Sequence, residues 1–389
     1  MGRGLRPENL LSFPVSHEDQ LPVASKRMTQ SKELARPTVN LRQLAEYLEL
    51  SQTTVSLVLN NSPAGSSIPQ HTRERVFEAA RKFRYRPNYF ARSLRNSRSM
   101  SVGVVVPDVS DGFFPVVMNA IEEQMMESHY FYVTASHYRR PDLVEECCQR
   151  LLERAVDGLL LLDTPAQIQV PVPAVAISSH NPTAGVANVV LNHDRAARLA
   201  LSHLRELGHQ RIVLMKGPPG ITDAEFRWRS ILAVAAEIGL EVSPELCVEL
   251  KEASQSPDAG YRLTRDVLRQ TRDFTAIFCF NDISAIGAVR AIGDVGLRVP
   301  EDISVMGFDD IIPAAFLQPS LTTVRQPLRA MGAEAAQLLM ERIGDPDCES
   351  AAEIVMEPEL ITRESTGLAP QRPVQTGSAR SQLRHAVIK

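Results

Sequence analysis

Residues 41–60 read LRQLAEYLELSQTTVSLVLN. Leu41, Leu44, Ala45 and Leu48 fall at i, i+3, i+4 and i+7, the apolar face of a short helix, and Asn40 stands where its N-cap belongs. Glu49-Leu50-Ser51 breaks that pattern tightly. Ser51 then caps a second helix over residues 52–59, with Val55, Val58 and Leu59 toward a core and Gln52, Thr53 and Ser56 outward. Two short helices across a tight turn suit a DNA reader, in which the second lies in the major groove and the first braces it. Small polar side chains at a helix N-terminus suit base edges and phosphates. A plain helical bundle shows the same pattern, so the spacing alone leaves both readings open.

Working outward, residues 61–67 are loop, and residues 72–83 repeat helical spacing through Val76, Ala79, Ala80 and Phe83. Arg86-Pro87 ends that pattern, because a pre-proline residue avoids the α region. Residues 88–95 suit one further short helix. Residues 1–37 lack periodicity and are rich in Pro, Ser and charge, which predicts a disordered leader; Met28 offers an alternative start. The apolar run 10–15 is too short for a signal peptide.

Charge separates the same two regions. Residues 1–100 hold 16 Lys and Arg against 8 Asp and Glu, whereas the other 289 hold 26 against 38. A basic head on an acidic body points to a polyanion partner, since neutralising phosphates releases condensed counterions. At 389 residues and 44% hydrophobic, the chain has material for two or three domains, which excludes a disulfide scaffold or wholesale disorder. No run approaches 18 uncharged apolar residues, so no membrane partner is expected and the protein is expected to be cytoplasmic. The five cysteines form no CxxC and no Cys/His cluster, and read as reduced thiols with no metal.

From Ser101 onward, buried-strand runs (102–106, 131–134, 158–162, 172–177, 188–191, 212–215, 276–280, 303–307) alternate with amphipathic helical patterns (114–127, 142–154, 194–207, 225–238, 259–269, 283–295, 328–342). That alternation predicts parallel sheets covered by helices on both faces, and its length predicts two lobes. Residues 364–389 are polar and unpatterned, hence expected to be a disordered tail. No GxSxG, HExxH or GxxxxGK[ST] occurs, and Gly217-Pro218-Pro219-Gly220 lacks the N–H donors and lysine of a phosphate loop. His203 and His209 read as packing or capping groups.

Residues 44–60, with Thr72-Arg73-Glu74-Arg75-Val76, Tyr85-Arg86-Pro87-Asn88 and Ala91-Arg92-Ser93-Leu94-Arg95, resemble the head of the lactose-repressor/purine-repressor (LacI/GalR) family of bacterial regulators. The resemblance implies a helix-turn-helix domain over 38–87 and a hinge helix and linker over 88–98. Gln52 and Thr53 would read bases, while Ser51, Thr54, Ser56, Asn60 and Tyr85 would position the phosphate backbone, with Asn40 in the same DNA-facing set. Asn88, Ala91 and Leu94 belong to the hinge, Leu94 as a minor-groove wedge. The chain departs from the family at Glu49, where Gly is usual, at Leu57, where Arg is common, and in a longer 61–67 loop.

The body resembles the same family's effector domain through 102–107, 208–212, 275–282, 299–310 and 321–326. The implied fold is α/β: a two-lobed, periplasmic-binding-protein-like clamshell over 99–363, with lobe 1 about 99–192 plus 326–354 and lobe 2 about 193–325 plus 355–363. Ligand would bind between the lobes near strand C-terminal ends. Arg227, Asn281 and Asp309 match polar gripping positions, and Phe114, Ser178 and Gln326 would complete the lining; Ser178-Ser179 and Asn192 stand where relatives often place Asp. The implied partners are operator DNA, a sugar or related metabolite and a second copy of the chain, with no cofactor and no catalysis. A solute-binding protein of the same clamshell fold predicts no DNA head, and an α/β enzyme predicts a nucleophile, metal cluster or phosphate loop.

Overall fold

The computed structural model describes residues 39–60, 62–85, 93, 98–109, 112–164, 170–179, 185–251, 256–345 and 352–371. Contacts divide the chain between residues 88 and 89 into a small helical unit and a large α/β unit.

In the helical unit, α1 (Leu41–Leu48), α2 (Gln52–Leu59) and α3 (Gln70–Lys82) enclose Leu44, Ala45, Leu48, Val55, Val58, Val76 and Ala79. Local chemistry starts each helix. Asn40 Oδ1 accepts the Gln43 N–H at 2.9 Å while Gln43 Oε1 accepts the Asn40 N–H at 3.0 Å, a reciprocal capping box. Ser51 Oγ accepts the Thr54 N–H at 3.0 Å and caps α2. Between them Glu49 adopts φ 57°, the left-handed conformation that favours glycine. Arg75 closes the unit by donating to the Leu48 carbonyl at the C-terminal end of α1 (3.3 Å).

The α/β unit holds two six-stranded sheets. The first, all parallel, contains β1 (Ser101–Val106), β2 (Phe131–Ser136), β3 (Gly158–Leu162), β4 (Ala174–Ile177), β5 (Val186–Leu191) and β11 (Glu353–Met356), in the order β11-β5-β4-β3-β1-β2. Against one face pack α4 (Phe113–Glu127) and α10 (Leu328–Gly344), burying Phe114, Ile121, Met331 and Leu339; α5 (Pro141–Leu152) covers the other through Cys148 and Leu151. The second sheet runs β12-β10-β9-β8-β6-β7, formed by β6 (Ile212–Lys216), β7 (Cys247–Glu249), β8 (Ala276–Phe278), β9 (Ser304–Asp309), β10 (Thr322–Arg325) and β12 (Glu359–Ile361), with β12 antiparallel. Its two faces are covered by α6 (His193–Glu206) with α7 (Thr222–Glu237), and by α8 (Asp258–Gln270) with α9 (Asp282–Asp294).

The two-lobed parallel-sheet fold agrees with the strand–helix alternation of the sequence. The chain crosses between sheets after β5, after β10 and between β11 and β12. Asn192 sits at the first crossing, where its Oδ1 caps α6 through the Arg195 N–H and its Nδ2 donates to Glu357 Oε1 at the third. β11 carries the first sheet to Met356, two residues past the expected lobe boundary. Strands β7, β10, β11 and β12 carry no buried-strand pattern of their own; neighbouring strands supply their hydrogen bonds.

The expectation that disorder starts at Glu364 is corrected for residues 364–371. Ser365 is fully buried, donates to the Val305 carbonyl at 2.6 Å and accepts the Thr322 N–H at 2.8 Å. His203 pairs with Thr366 Oγ1 (2.9 Å), and His209 bridges Thr275 Oγ1 (2.8 Å) and the Gly367 carbonyl (3.0 Å). Burial pushes both imidazoles below their usual pKa, so each holds this segment in its neutral form.

Candidate DNA-reading face and ligand crevice

At the start of α2, Gln52 and Thr53 are exposed, and Thr54 is half-buried with its hydroxyl 2.8 Å from Ser51 Oγ. Ser51 and Thr54 are therefore engaged with each other. Ser56 departs from the expectation of an outward side chain: it is buried. The helical repeat puts it at the edge of the Val55–Val58 stripe, and Asn60 folds back over it, its Nδ2 donating to Ser56 Oγ (3.1 Å) and to the Ser56 carbonyl (2.8 Å). Tyr85 is half-buried against the head's core, and burial raises its hydroxyl pKa. Asn40 serves the capping box. Asn88, Ala91 and Leu94 lie outside the described residues. Gln52 and Thr53 are thus the polar side chains that this helix start presents outward, at the positive end of its dipole.

In the α/β unit one crevice opens between the two sheets, enclosing about 710 Å³ including its mouth. Phe114, Ser178, Arg227, Asn281, Asp309 and Gln326, named from the sequence, all line it. They come from residues following β4 and β8, from the last residue of β9, from the N-terminus of α4, from α7, and from the crossing after β10. Strand ends converge there because all strands of a parallel sheet present their C-termini on one edge.

Arg227, 5% exposed, is held on three sides. Its Nη2 donates to Asp223 Oδ2 and its Nη1 to the Phe280 carbonyl, both at 2.7 Å, and its guanidinium stacks 3.6 Å over the Phe308 ring. His193 Nε2 lies 3.0 Å from Asp223 Oδ1, completing a buried cluster. Opposite, Arg139 Nη1 donates to Asp163 Oδ2 at 2.8 Å, and Gln326 Nε2 donates to Asp309 Oδ1 at 2.7 Å. Asn281 Oδ1 accepts the Ser284 N–H at 2.9 Å to cap α9.

Two features distinguish the lining of this crevice. Ser178 Oγ, Arg227 Nε and Gln326 Oε1 are buried with no hydrogen-bond partner among the described residues. An unsatisfied buried polar group costs about 1–3 kcal/mol, and these three belong to residues that line the one crevice. Backbone strain gathers there as well: Arg139 (φ 55°), Asp163 (41°), Ser178 (57°) and Asp309 (112°) all adopt positive φ, a conformation that costs L-residues about 1–3 kcal/mol and clusters at ligand sites.

Behind the crevice, Asp282 accepts the Thr323 hydroxyl (2.7 Å) and the Ile311 N–H (2.9 Å). Burial pushes its carboxyl up to about 7, against the pull of those two donors. Gly307 makes room for it, because a Cβ there would sit 2.1 Å from Asp282 Oδ1. Among the described residues no His, Cys, Asp and Glu group could hold a metal, and no helix is long and apolar enough to cross a membrane.

The sequence reading missed several lining residues. Asp163, Pro218 and Phe280 follow β3, β6 and β8 as Asp309 ends β9, so the strand-end argument reaches them too. Asp223 stands one helical turn before Arg227, a legible ion-pair spacing. Arg139 follows β2 by three residues, as Asn281 follows β8, so the strand-end argument reaches it.

A helical head with a helix-turn-helix, joined in one chain to a two-lobed body with a ligand-ready crevice, defines a ligand-sensing DNA-binding regulator. Residues 40–88 match the family described as bacterial regulatory proteins, lacI family, and residues 201–366 match a periplasmic binding protein-like domain. The HTH-type transcriptional repressor PurR of Pasteurella multocida (strain Pm70) is 31% identical over 335 residues, covering 84% of this chain and 98% of PurR. The lac repressor dimer bound to operator and the anti-inducer ONPF superposes with a TM-score of 0.74 at 27% identity, over 85% of this chain and 99% of that one. The transcriptional regulator CelR–cellobiose complex superposes at 0.62 and 28% identity, over 84% and 99%. This chain belongs to the LacI/GalR family: it is a ligand-responsive, DNA-binding transcriptional regulator.

Proposed function

We propose that the protein is a repressor that binds a pseudo-palindromic operator as a homodimer and releases or tightens on it when a sugar or related metabolite fills the crevice. Gln52 and Thr53 read base edges. Ser51 and Thr54 set the helix start against the phosphate backbone, and Asn88, Ala91 and Leu94 act in the hinge. Ser178, Arg227, Asn281, Asp309, Gln326 and Phe114 hold the effector. The protein works by binding and not by catalysis, in the cytoplasm on the nucleoid.

The effector part of this reading is supported by the unpartnered buried polar atoms of Ser178, Arg227 and Gln326 in the lining of one crevice, and the operator part by the helix start that presents Gln52 and Thr53 outward. Effector can shift operator affinity only as far as it binds the two states differently, typically about 5–150-fold.

Site selection from random duplexes with the purified full-length protein tests the whole reading, at fixed salt, with and without pooled sugars and nucleobases. A compact palindrome whose occupancy changes with one pool is the expected result. No selected sequence under any pool overturns it.

A further inference from the structure

Five ionisable side chains line the crevice, two arginines (Arg139 and Arg227) and three aspartates (Asp163, Asp223 and Asp309), a formal balance of one negative charge. Both arginines are already engaged, Arg139 by Asp163 at 2.8 Å and Arg227 by Asp223 at 2.7 Å. A phosphate or carboxylate entering here finds each cation already matched by a carboxylate in the same wall.

The orientation of the neutral groups sharpens the point. Gln326 turns Nε2 to Asp309, so the atom left over is the acceptor Oε1. Asn281 turns Oδ1 to the Ser284 N–H, which leaves its Nδ2 as a donor. Arg227 Nε is a donor, and Ser178 Oγ is both donor and acceptor. A ligand that satisfies Gln326 Oε1 and Arg227 Nε together must donate and accept, which hydroxyl groups do and acceptor-only anions do not. Phe113, Phe114 and Phe280 add apolar wall for the C–H face of a ring.

Resting on the crevice as the effector site, we propose that the effector is a small uncharged polyhydroxyl compound, and that the Arg139–Asp163 pair is the specificity element that turns away its phosphorylated and carboxylated counterparts. Asp163 keeps Arg139 from serving as an anion clamp. Both residues of the pair follow strands of the first lobe, Arg139 after β2 and Asp163 after β3. Breaking the pair from the acidic side releases a guanidinium able to grip oxyanions.

The test uses the full-length protein in two ways. Species retained after incubation with a metabolite extract and buffer exchange are identified by native mass spectrometry. Calorimetry then compares neutral sugars with their 6-phosphates and uronates. A retained polyol, bound about tenfold or more tighter than its anionic partners, is expected, and Asp163→Asn should narrow that gap by about tenfold. Arg139→Gln should widen it, and decides the matter should circular dichroism show Asp163→Asn unfolded. Retention of an anion or of a compound without hydroxyls overturns the proposal and leaves the effector site standing; so does a gap that a folded Asp163→Asn leaves unchanged, or one that Arg139→Gln closes. No retained species and no binding in any arm overturns the effector-site reading itself, and the proposal with it.

Discussion

Gln326 donates from Nε2 to Asp309 Oδ1 at 2.7 Å, which ties the segment crossing between the lobes to the C-terminal end of β9. Asp309 holds φ 112° there, and Gln326 is 3% exposed. This bond joins a strained strand end in the crevice to a segment that crosses between the lobes. Gln326→Glu places a second carboxylate against Asp309. We expect this substitution to lower effector affinity by at least about tenfold, since like charges forced together in a buried site cost several kcal/mol; calorimetry with the effector measures it.

Glu49 stands in the left-handed region at φ 57° without glycine's freedom. Glu49→Gly should stabilise the head by up to about 1 kcal/mol. Urea titration of the full-length protein, followed by amide exchange in residues 41–59, reads the gain. The caps have the opposite sign: Ser51→Ala should cost the head about 1 kcal/mol.

In the proposed reading, few side chains of α2 read the operator. Gln52→Ala and Thr53→Ala should each weaken binding to the selected operator by about 1–3 kcal/mol, with much less effect on random duplex, because base contacts specify while phosphate contacts position. Parallel titrations of operator and random duplex at one salt concentration separate the two.

Residues 364–371 pack as part of the second lobe. Truncation after Arg363 removes Ser365 and leaves the Val305 carbonyl and the Thr322 N–H without these partners. Ser365→Ala alone should cost about 1–3 kcal/mol, seen as a lower melting temperature.

His137 is buried beside Thr164, 3.2 Å from its hydroxyl, and burial together with the charge of Arg139 pushes its pKa down to about 4. Its folded-state pKa lies below the unfolded value near 6.5, so between these pH values the unfolded chain binds the proton and the native one does not. Stability is therefore full above about pH 6.5 and falls as pH drops toward 4. Asp282, raised to about 7, has the reverse slope: its contribution favours the native state at acidic pH and is lost as pH rises through 7. Urea denaturation at a series of pH values should show the acid-side fall reduced in His137→Gln.

The order of helices and strands is legible in the sequence because its causes are local. Leu41, Leu44, Ala45 and Leu48 sit on one helical face by spacing alone, and Asn40 and Ser51 cap bonds that reach three residues ahead. The strand-and-helix alternation after Ser101 follows from the same local periodicity and dictates parallel sheets. The six lining residues named beforehand rest on the family resemblance, and three of them (Ser178, Asn281 and Asp309) also stand at or just after strand ends, a short-range signal. Tertiary structure alone decided what depends on long separations. Arg139 meets Asp163 across 24 residues, and Ser365 enters the second lobe across 60. No periodicity announces such contacts: each is set by where a strand end or a turn lies in three dimensions, and by the buried polar groups left there to be satisfied.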